Sequence, residues 1–546
     1  MIHAVKKQME PGRYLASFDT TSLPHVFTDV LVLGSGVAGL RAAIEAAGHA
    51  EVMIVTKQLA NESCSANAQG GVAVVMDSND SIAAHVKDTI EVGCGLCNED
   101  AVRTIISEGI QRVEELMTWG AKFDARDGKL LYTLEGGHSR PRILHARGDA
   151  TGAELVDTLI AEAQMHQHIH IFENSYAVDL LTRDGVCHGA IIHNATKGMM
   201  LVWSRQTVLA TGGVGKLFRE TTNPAVITGD GVAMAWRAGA KLMDLEFIQF
   251  HPTTLYIAGA GRALISETAR GEGGILLTKD GTRFMPGYHP DAELAPRDVV
   301  SRSIIQEMKR TGDTNVYLDL THLGREVLEK RFPMIHSLCA QFDIDIATDM
   351  IPVRPSAHYT VGGVASDMDG RTDIDGLLAC GEVACTGFHG ANRLGSNSLL
   401  EALVMGKRAG VTAVRSLRKS TRPGPYTMAY AVEKGRASVM DIGDVEMALR
   451  SLMWRHAGVE RNELGLLTAN DRAEFWCKYI MEREFDRPTG WELQNMLTLA
   501  KVIIHLARQR TESRGCHFRD DFPAIDDINW KRHSSVNRAG GEVKGV

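Results

Sequence analysis

The sequence predicts an α/β protein organised around a strand, a glycine loop and a helix that together hold a dinucleotide. Three observations carry this expectation. Residues 29–41 read DVLVLGSGVAGLR: Val30, Leu31, Val32 and Leu33 form a buried strand, and a helix begins near Ala38. Gly34, Gly36 and Gly39 between them fill the G-x-G-x-x-G spacing. EVMIVTK at 51–57 then reads as a second parallel strand, closing a βαβ unit of about thirty residues. QTVLATGG at 206–213 is a further β-branched strand that runs into glycines. In the first loop Gly34 permits the sharp turn, Gly36 lets a pyrophosphate approach the backbone, and Gly39 lets helix and strand pack closely. The free N–H groups and the positive helix end face the phosphates.

At 546 residues the chain exceeds one hydrophobic core, so several domains are expected. Hydrophobic content of 44% and charged content of 23% are ordinary for a globular protein. A net charge of -8 argues against non-specific nucleic-acid binding. No apolar run approaches the roughly 18 residues of a membrane span, and residues 1–28 lack the apolar region of a signal peptide. Nine scattered cysteines, an odd number, suggest reduced thiols and a cytoplasmic location. Cys94 and Cys97 form a lone C-x-x-C, which without a second pair favours structural thiols over zinc.

Taking the chain onward, the second strand ends in Thr56 and Lys57, where a nicotinamide site places an acid for the ribose. That weakens a nicotinamide reading. Ala68-Gln69-Gly70-Gly71 offers another close backbone approach, and helical periodicity runs from about 80 to 120. An acidic, glycine-rich loop at 134–139 precedes Arg142, His145 and Asp149-Ala-Thr-Gly152. Thr228-Gly229-Asp230-Gly231 opens a helix, with Asp230 placed as a cap. From about 245 the texture changes to turns dense in functional groups, as a substrate-facing lid would be. The sheet is expected to resume near 351, with LLACGE at 377–382 ending in Glu382, a candidate ribose ligand. Ser396-Asn397-Ser398-Leu399 opens a helix, a proline-rich basic linker follows at 418–425, and the remainder is mostly helical to a polar, frayed tail from about 531.

The glycine loop, the Ala-Gln-Gly-Gly turn, His251-Pro-Thr253, 267–273 (ETARGEG), 294–298 (LAPRD), His358-Tyr-Thr and 390–399 (GANRLGSNSL) occur in one order. That set resembles the succinate dehydrogenase / fumarate reductase flavoprotein family over roughly residues 28–530. The resemblance implies a two-segment FAD-binding Rossmann-like domain, interrupted by an α+β capping domain and followed by a helical C-terminal domain. The boundaries expected are 1–27 for an N-terminal extension, 28–244 and 351–417 for the FAD segments, 245–350 for the cap and 418–546 for the helical domain. The implied FAD contacts are Gly34, Ser35, Gly36, Ala38, Gly39, Thr56, Lys57, Ala68, Gln69, Gly70, Gly71, Ala210, Thr211, Gly212, Asp230, Glu382, Ser396, Ser398 and Leu399.

Two departures narrow the expectation. Cys64 stands where respiratory members carry the histidine that bonds covalently to the flavin, so non-covalent FAD is expected. Glu135-Gly-Gly-His-Ser139 replaces a Phe-Gly-Gly sequence and resembles the members that oxidise L-aspartate to iminoaspartate, the first step of quinolinate and NAD biosynthesis. Arg147-Gly148, between His145-Ala146 and Asp149, lengthens that motif. For an amino dicarboxylate the site needs cationic forks and an acceptor for the ammonium. Arg297 and Arg393 suit the carboxylates because a guanidinium makes two parallel hydrogen bonds. His251 and His358 assist them, Ser266 and Thr253 are neutral donors, and Glu135 faces the ammonium. The implied chemistry is hydride transfer from Cα to flavin N5, with reoxidation by O2 or fumarate. Arg297, backed by Glu267 and Arg270, serves either as proton carrier or as electrostatic clamp. A handover of product to quinolinate synthase is implied by the resemblance alone. The competing expectations are a soluble fumarate reductase, a flavoprotein subunit of a larger complex, and a nucleotide-binding scaffold without turnover.

Overall fold

The computed structural model describes residues 12–257, 261–418, 424–432 and 441–538. Its central sheet has seven strands. The first, β1 (His25–Leu33), begins before the apolar run and ends in it, with Val30, Leu31, Val32 and Leu33 wholly buried. Helix α1 (Val37–Ala47) returns the chain to β2 (Val52–Val55), which pairs parallel to β1 in register Val30 to Val52. The periodic stretch at 80–120 is two helices, α2 (Ile82–Val92) and α3 (Glu99–Thr118), capped separately by Ser81 and Asn98. After α4 (Thr151–Met165), strand β3 (Ile169–Phe172) joins the outer side of β2.

Strands β4 (Ser175–Arg183) and β5 (Val186–Asn194) form an antiparallel hairpin that leads into β6 (Gly198–Leu209). β6 lies parallel to β1, so the glycines after both strands emerge at the same sheet edge. Helix α5 (Asp230–Ala238) ends the first segment.

The cap is a four-stranded antiparallel sheet of β7 (Ile248–Leu255), β8 (Ile275–Leu277), β9 (Val316–Asp319) and β10 (Ile351–Thr360), in the order β7-β10-β9-β8. It also carries the short α6 (Glu267–Gly271), α7 (Arg297–Thr311) and α8 (Pro333–Ala340). Here the structure corrects the expectation that the central sheet resumes near 351: β10 pairs with β7 and β9, and the central sheet resumes with β11 (Leu377–Ala379) against β6. Polar and apolar residues alternate early in β10, as befits a sheet with one open face.

Helix α9 (Asn397–Leu417) crosses over α1 at close range. A Cβ on Gly406 would fall 2.5 Å from the Ala38 carbonyl oxygen, and one on Gly410 would fall 2.6 Å from that of Ala42. The C-terminal helices are α10 (Ile442–His456), α11 (Glu463–Ile480) and α12 (Pro488–Gln509). Most of the expected linker, 419–423, lies outside the described residues, as do 1–11 and 539–546.

One further expectation is corrected. The chain from 531 to 538 is not frayed: Ser535–Val536 pairs with Leu242–Met243, and Arg510 donates to the Arg532 carbonyl and to Ser534 Oγ. Its polar residues are bought back by specific donors and acceptors, which composition does not reveal. Residues 12–27 likewise pack on the body, with Tyr14, Leu15 and Phe18 buried and Phe18–Asp19 paired to Ala429–Tyr430. No helix among the described residues is long and apolar enough to cross a membrane.

The lengthened motif at 145–152 joins the two domains. Arg147 and Gly148 both take positive φ, of 53° and 75°. This turn aims Asp149 at the N-terminus of α8 in the cap, where its carboxylate accepts from the N–H of Met334 at 3.1 Å and Ile335 at 3.0 Å. Arg331 of the cap donates back to the Gly148 carbonyl. α8 begins with Pro333 and has no cap of its own, so Asp149 serves as its N-cap from another domain. Replacing Asp149 by Ala should cost about 2 kcal/mol, read as a lower thermal midpoint; an unchanged midpoint would show that the cap is held elsewhere.

Candidate functional site

One long cavity runs from the first glycine loop, under α9, to the cap. At its dinucleotide end the strand–loop–helix has the geometry its sequence demands. Gly34 has φ 109°, and a Cβ there would lie 2.2 Å from the Ala210 carbonyl oxygen. A Cβ on Gly39 would lie 2.1 Å from the Gly34 carbonyl, so the helix closes on the loop itself. The α1 N-cap is Gly36, which has no side chain to cap the helix. Gly34, Ser35, Gly36 and Ala38 line the wall, as do Thr56, Lys57, Ala68, Gln69, Gly70, Gly71, Ala210, Thr211 and Gly212. Asp230, Glu382, Ser396, Ser398 and Leu399 complete the predicted set on the wall; Gly39 stands behind it.

Two of these residues differ in detail from expectation. Asp230 is the first residue of α5 but does not cap it. Its oxygens accept from Tyr176 Oη, Thr228 Oγ1 and Asn495 Nδ2, and Lys57 Nζ stands 2.6 Å away. Lys57 is correspondingly committed to Asp230 and to Glu492 of α12, both at 2.6 Å. Burial opposes its charge, but the two carboxylates outweigh burial and raise its pKa. Glu382 accepts the backbone N–H of Thr360 at 2.9 Å. Burial is the main cause that pushes its carboxyl up to about 7, with Arg393 and the N–H donors opposing.

At the cap end, β7 and β10 deliver two histidines whose rings meet at 5.2 Å between centroids. His358 Nδ1 pairs with Thr222 Oγ1 at 2.8 Å, and Thr253 N–H donates to His251 Nδ1 at 3.3 Å. Burial, with the positive charge of Arg297 as the next cause, holds both imidazoles well below their ordinary pKa, so both are neutral. His251 Nε2 is buried without a protein partner on the cavity wall.

Thr253 is a correction: its hydroxyl donates to the Ile265 carbonyl at 2.9 Å, and the residue does not line the cavity. A bulge in the β7–β10 pairing between His251 and Thr254 breaks the alternation that would have turned it inward. Ser266 does line the cavity, with Leu264 beside it.

The charged groups form a defined pattern. Arg297 Nε donates to Glu267 Oε2 at 2.6 Å, and Arg270 Nη2 donates to Glu267 Oε1 at 3.0 Å. Burial would raise the Glu267 carboxyl, but these two guanidiniums outweigh it and hold it below the ordinary range. Arg270 stands behind the wall. Arg393 donates to Ser398 Oγ and to Gln249 Oε1 rather than to a carboxylate. Burial and then Arg297 bring its pKa down to about 10.

Gln249 Oε1 also accepts from Arg297 Nη1 at 3.2 Å, so a single amide oxygen spaces the two guanidiniums. Its role was not foreseen, although it shares a strand face with His251 at period two. Glu135, 2% exposed, lines the cavity between α9 and α6. It meets hydroxyls alone, Ser396 Oγ at 2.8 Å and Thr268 Oγ1 at 3.2 Å. Burial first and Glu267 second raise its pKa, against the pull of Arg297.

Other wall residues escaped the sequence reading. Ser175, Tyr176 and Ala177 open β4 with no glycine or motif to mark them. Tyr359, within the quoted His-Tyr-Thr, lies under the Arg393 guanidinium at 4.9 Å. Cys64 lines the cavity, its thiol pushed up by burial. Cys94 and Cys97 donate to backbone carbonyls, and no metal-ligating cluster occurs among the described residues.

Comparison with known proteins agrees with this architecture. A family model for an FAD binding domain matches residues 29–399, and one for a fumarate reductase flavoprotein C-terminus matches residues 446–544. An L-aspartate oxidase of Streptomyces coelicolor is 43% identical over 535 residues, covering 94% of this chain and 91% of its own. L-aspartate oxidase 1 of Ralstonia nicotianae is 44% identical, over 93% of this chain and 99% of its own length. Among solved structures, E. coli quinol fumarate reductase superposes with a TM-score of 0.89 at 31% identity, covering 96% of this chain and 97% of that one. The glycine cradle fits the FAD these relatives imply, and Gln69 Oε1 and Thr211 Oγ1 on the same wall are buried without protein partners. The chain belongs to the L-aspartate oxidases of the succinate dehydrogenase / fumarate reductase flavoprotein family, and FAD is its cofactor.

Proposed function

We propose that the protein oxidises L-aspartate to iminoaspartate, the first step of NAD biosynthesis by way of quinolinate, with FAD held non-covalently. The observation that carries the substrate reading is the placement of Glu135, a buried carboxylate hydrogen-bonded to hydroxyls alone, in one cavity with the Arg297 and Arg393 guanidiniums. Desolvating such a group costs several kcal/mol unless a cation or donors meet it, and an amino-acid ammonium meets that need. Arg393 and Arg297 clamp the two carboxylates of the substrate. Neutral His251 and His358 donate hydrogen bonds without adding charge, so the charged groups offered to the substrate are the two guanidinium forks and the Glu135 carboxylate.

The bound flavin supplies the two-electron acceptor for the Cα hydride and passes the electrons to O2 or fumarate. The chain's share is to orient Cα, exclude water and handle protons. The Arg297–Glu267–Arg270 chain leads from the cavity toward the interior of the cap and supports a proton-carrying role for Arg297. Its other role, fixed positive charge at a substrate carboxylate, follows from the same geometry. Cys64 has no means to form a histidyl link, which supports non-covalent binding. All nine cysteines are free, as a reducing, cytoplasmic location would keep them. Iminoaspartate is an unstable imine, which supports a handover to quinolinate synthase.

Replacing Glu135 by Gln should raise the KM for L-aspartate at least about tenfold, the loss of one charged hydrogen bond, while fumarate reduction by the same variant is spared. Peroxide release from L-aspartate and fumarate consumption by the reduced enzyme give the two readouts; equal loss in both would remove Glu135 from ammonium recognition. A second expectation concerns Glu382 as a ribose ligand. Burial pushes its carboxyl up to about 7, and hydroxyl donors from a ribose would favour the charged form. FAD binding then releases a proton, and affinity should rise about tenfold as pH goes from about 6 to about 8. Titration of apoprotein with FAD by fluorescence quenching reads this, and Glu382→Gln should flatten the profile.

A further inference from the structure

Ser396 occupies the N-cap position of α9 without capping the helix. Its φ is 61°, a left-handed conformation uncommon for a residue other than glycine, and its hydroxyl makes no bond to the helix N–H groups. It donates instead to Glu135 Oε2 at 2.8 Å. From the other side, Thr268 of α6 donates to Glu135 Oε1 at 3.2 Å. The direction of that second bond is forced. A carboxylate oxygen only accepts, so the Thr268 hydroxyl is the donor to Glu135, while Ser266 gives its proton to Thr268 Oγ1 at 3.0 Å and accepts the Thr268 backbone N–H at 3.3 Å. Both oxygens of one buried carboxylate are thus met by neutral hydroxyls, one from the cap and one from the start of the central helix.

We infer that Thr268 and Ser396 are positioning residues that keep Glu135 charged and aimed, and so set the preference of this site for an amino dicarboxylate. The inference rests on the reading of Glu135 given above. The charged groups that face Glu135 are Glu267 and Arg270 on α6, Arg297 on α7 and Arg393 on the loop before α9. Glu267 and burial favour the protonated acid, and the arginines are shared with Glu267 and, in turnover, with the substrate carboxylates. The hydroxyls are the donors that remain with Glu135 throughout. A carboxylate that loses one donor binds a proton at higher pH, and the neutral acid no longer attracts an ammonium.

The test uses FAD-loaded enzyme. Thr268→Val keeps the volume and removes the hydroxyl, and Thr268→Ser restores it. The KM for L-aspartate rises on the acid side as Glu135 takes up its proton. In T268V that limb should move to a pH higher by about 1, the equivalent of one hydrogen bond to a charged group. T268S should return it to the wild-type position, and the fumarate KM should keep its own pH profile throughout. Ser396→Ala removes the other donor and should displace the aspartate limb in the same direction, so the result does not hang on one variant. An unmoved aspartate limb in both variants, or an equal displacement for aspartate and fumarate, overturns the inference. If E135Q raises the aspartate KM while T268V and S396A leave the limb in place, the hydroxyls are dismissed and Glu135 stands. If E135Q leaves the aspartate KM unchanged, the ammonium reading itself fails.

Discussion

A carboxylate taken out of water must be met by cations or by hydrogen-bond donors, and this cavity meets two of them in different ways. Glu267 sits between Arg297 and Arg270, so its charge is spent inside the protein. Glu135 is met by hydroxyls alone, so its charge is left for something that enters. The two acids are close enough that a Cβ on Gly395 would touch both, with Glu267 Oε2 at 3.1 Å and Glu135 Oε2 at 3.2 Å. Breaking a buried ion pair of the Glu267 kind costs about 3–5 kcal/mol, which makes the Arg–Glu–Arg chain a fixed frame. Against that frame Glu135 and Arg393 are hydrogen-bonded to neutral groups alone.

The fold exists to bring these groups together from far apart in the chain. The central sheet opens its glycine loops at one edge, where β1 and β6 end in register. The cap sheet supplies His251 and His358 from adjacent antiparallel strands, and α6 and α7 add Glu267 and Arg297. The Gln249 amide oxygen accepts from both Arg297 of the cap and Arg393 of the central domain. Asp149 ties the cap to the body at another point by capping α8. The helical domain is also coupled to the cofactor wall, through Glu492 and Asn495 to the Lys57–Asp230 pair. The junctions between domains thus combine polar contacts of defined geometry with apolar packing, such as Phe250 of the cap against Trp454 of the helical domain.

Several local readings failed for a common reason. Thr253 was expected to face the substrate because it shares a motif with His251, yet a bulge turned it toward the Ile265 carbonyl. Asp230 looked like a helix cap because acids at helix starts usually are, yet Lys57 claimed it across the cavity. Residues 531–538 looked frayed because they are polar, yet Arg510 and Asp244 bond to Ser534 among them. In each case the deciding partner lies from 12 to 290 residues away, beyond the reach of local propensity.

What the amino-acid sequence determined by itself were features with a fixed spacing or a forced backbone conformation. The glycine loop, the parallel pair that follows it, the long amphipathic helices, and the order of motifs that marks the family all belong to this class, because short-range sterics and periodicity dictate them. It also named four charged residues that the fold brings to the cavity wall: Glu135, Glu267, Arg297 and Arg393. What only the tertiary structure decided was how those charges are apportioned. Which acid is neutralised, which is left with hydroxyls, and which arginine remains free of a carboxylate depend on distances of about 3 Å between distant segments. Coulomb and desolvation energies are large at that range and vanish along the chain, so they are set by the packing of cap on body and by nothing shorter.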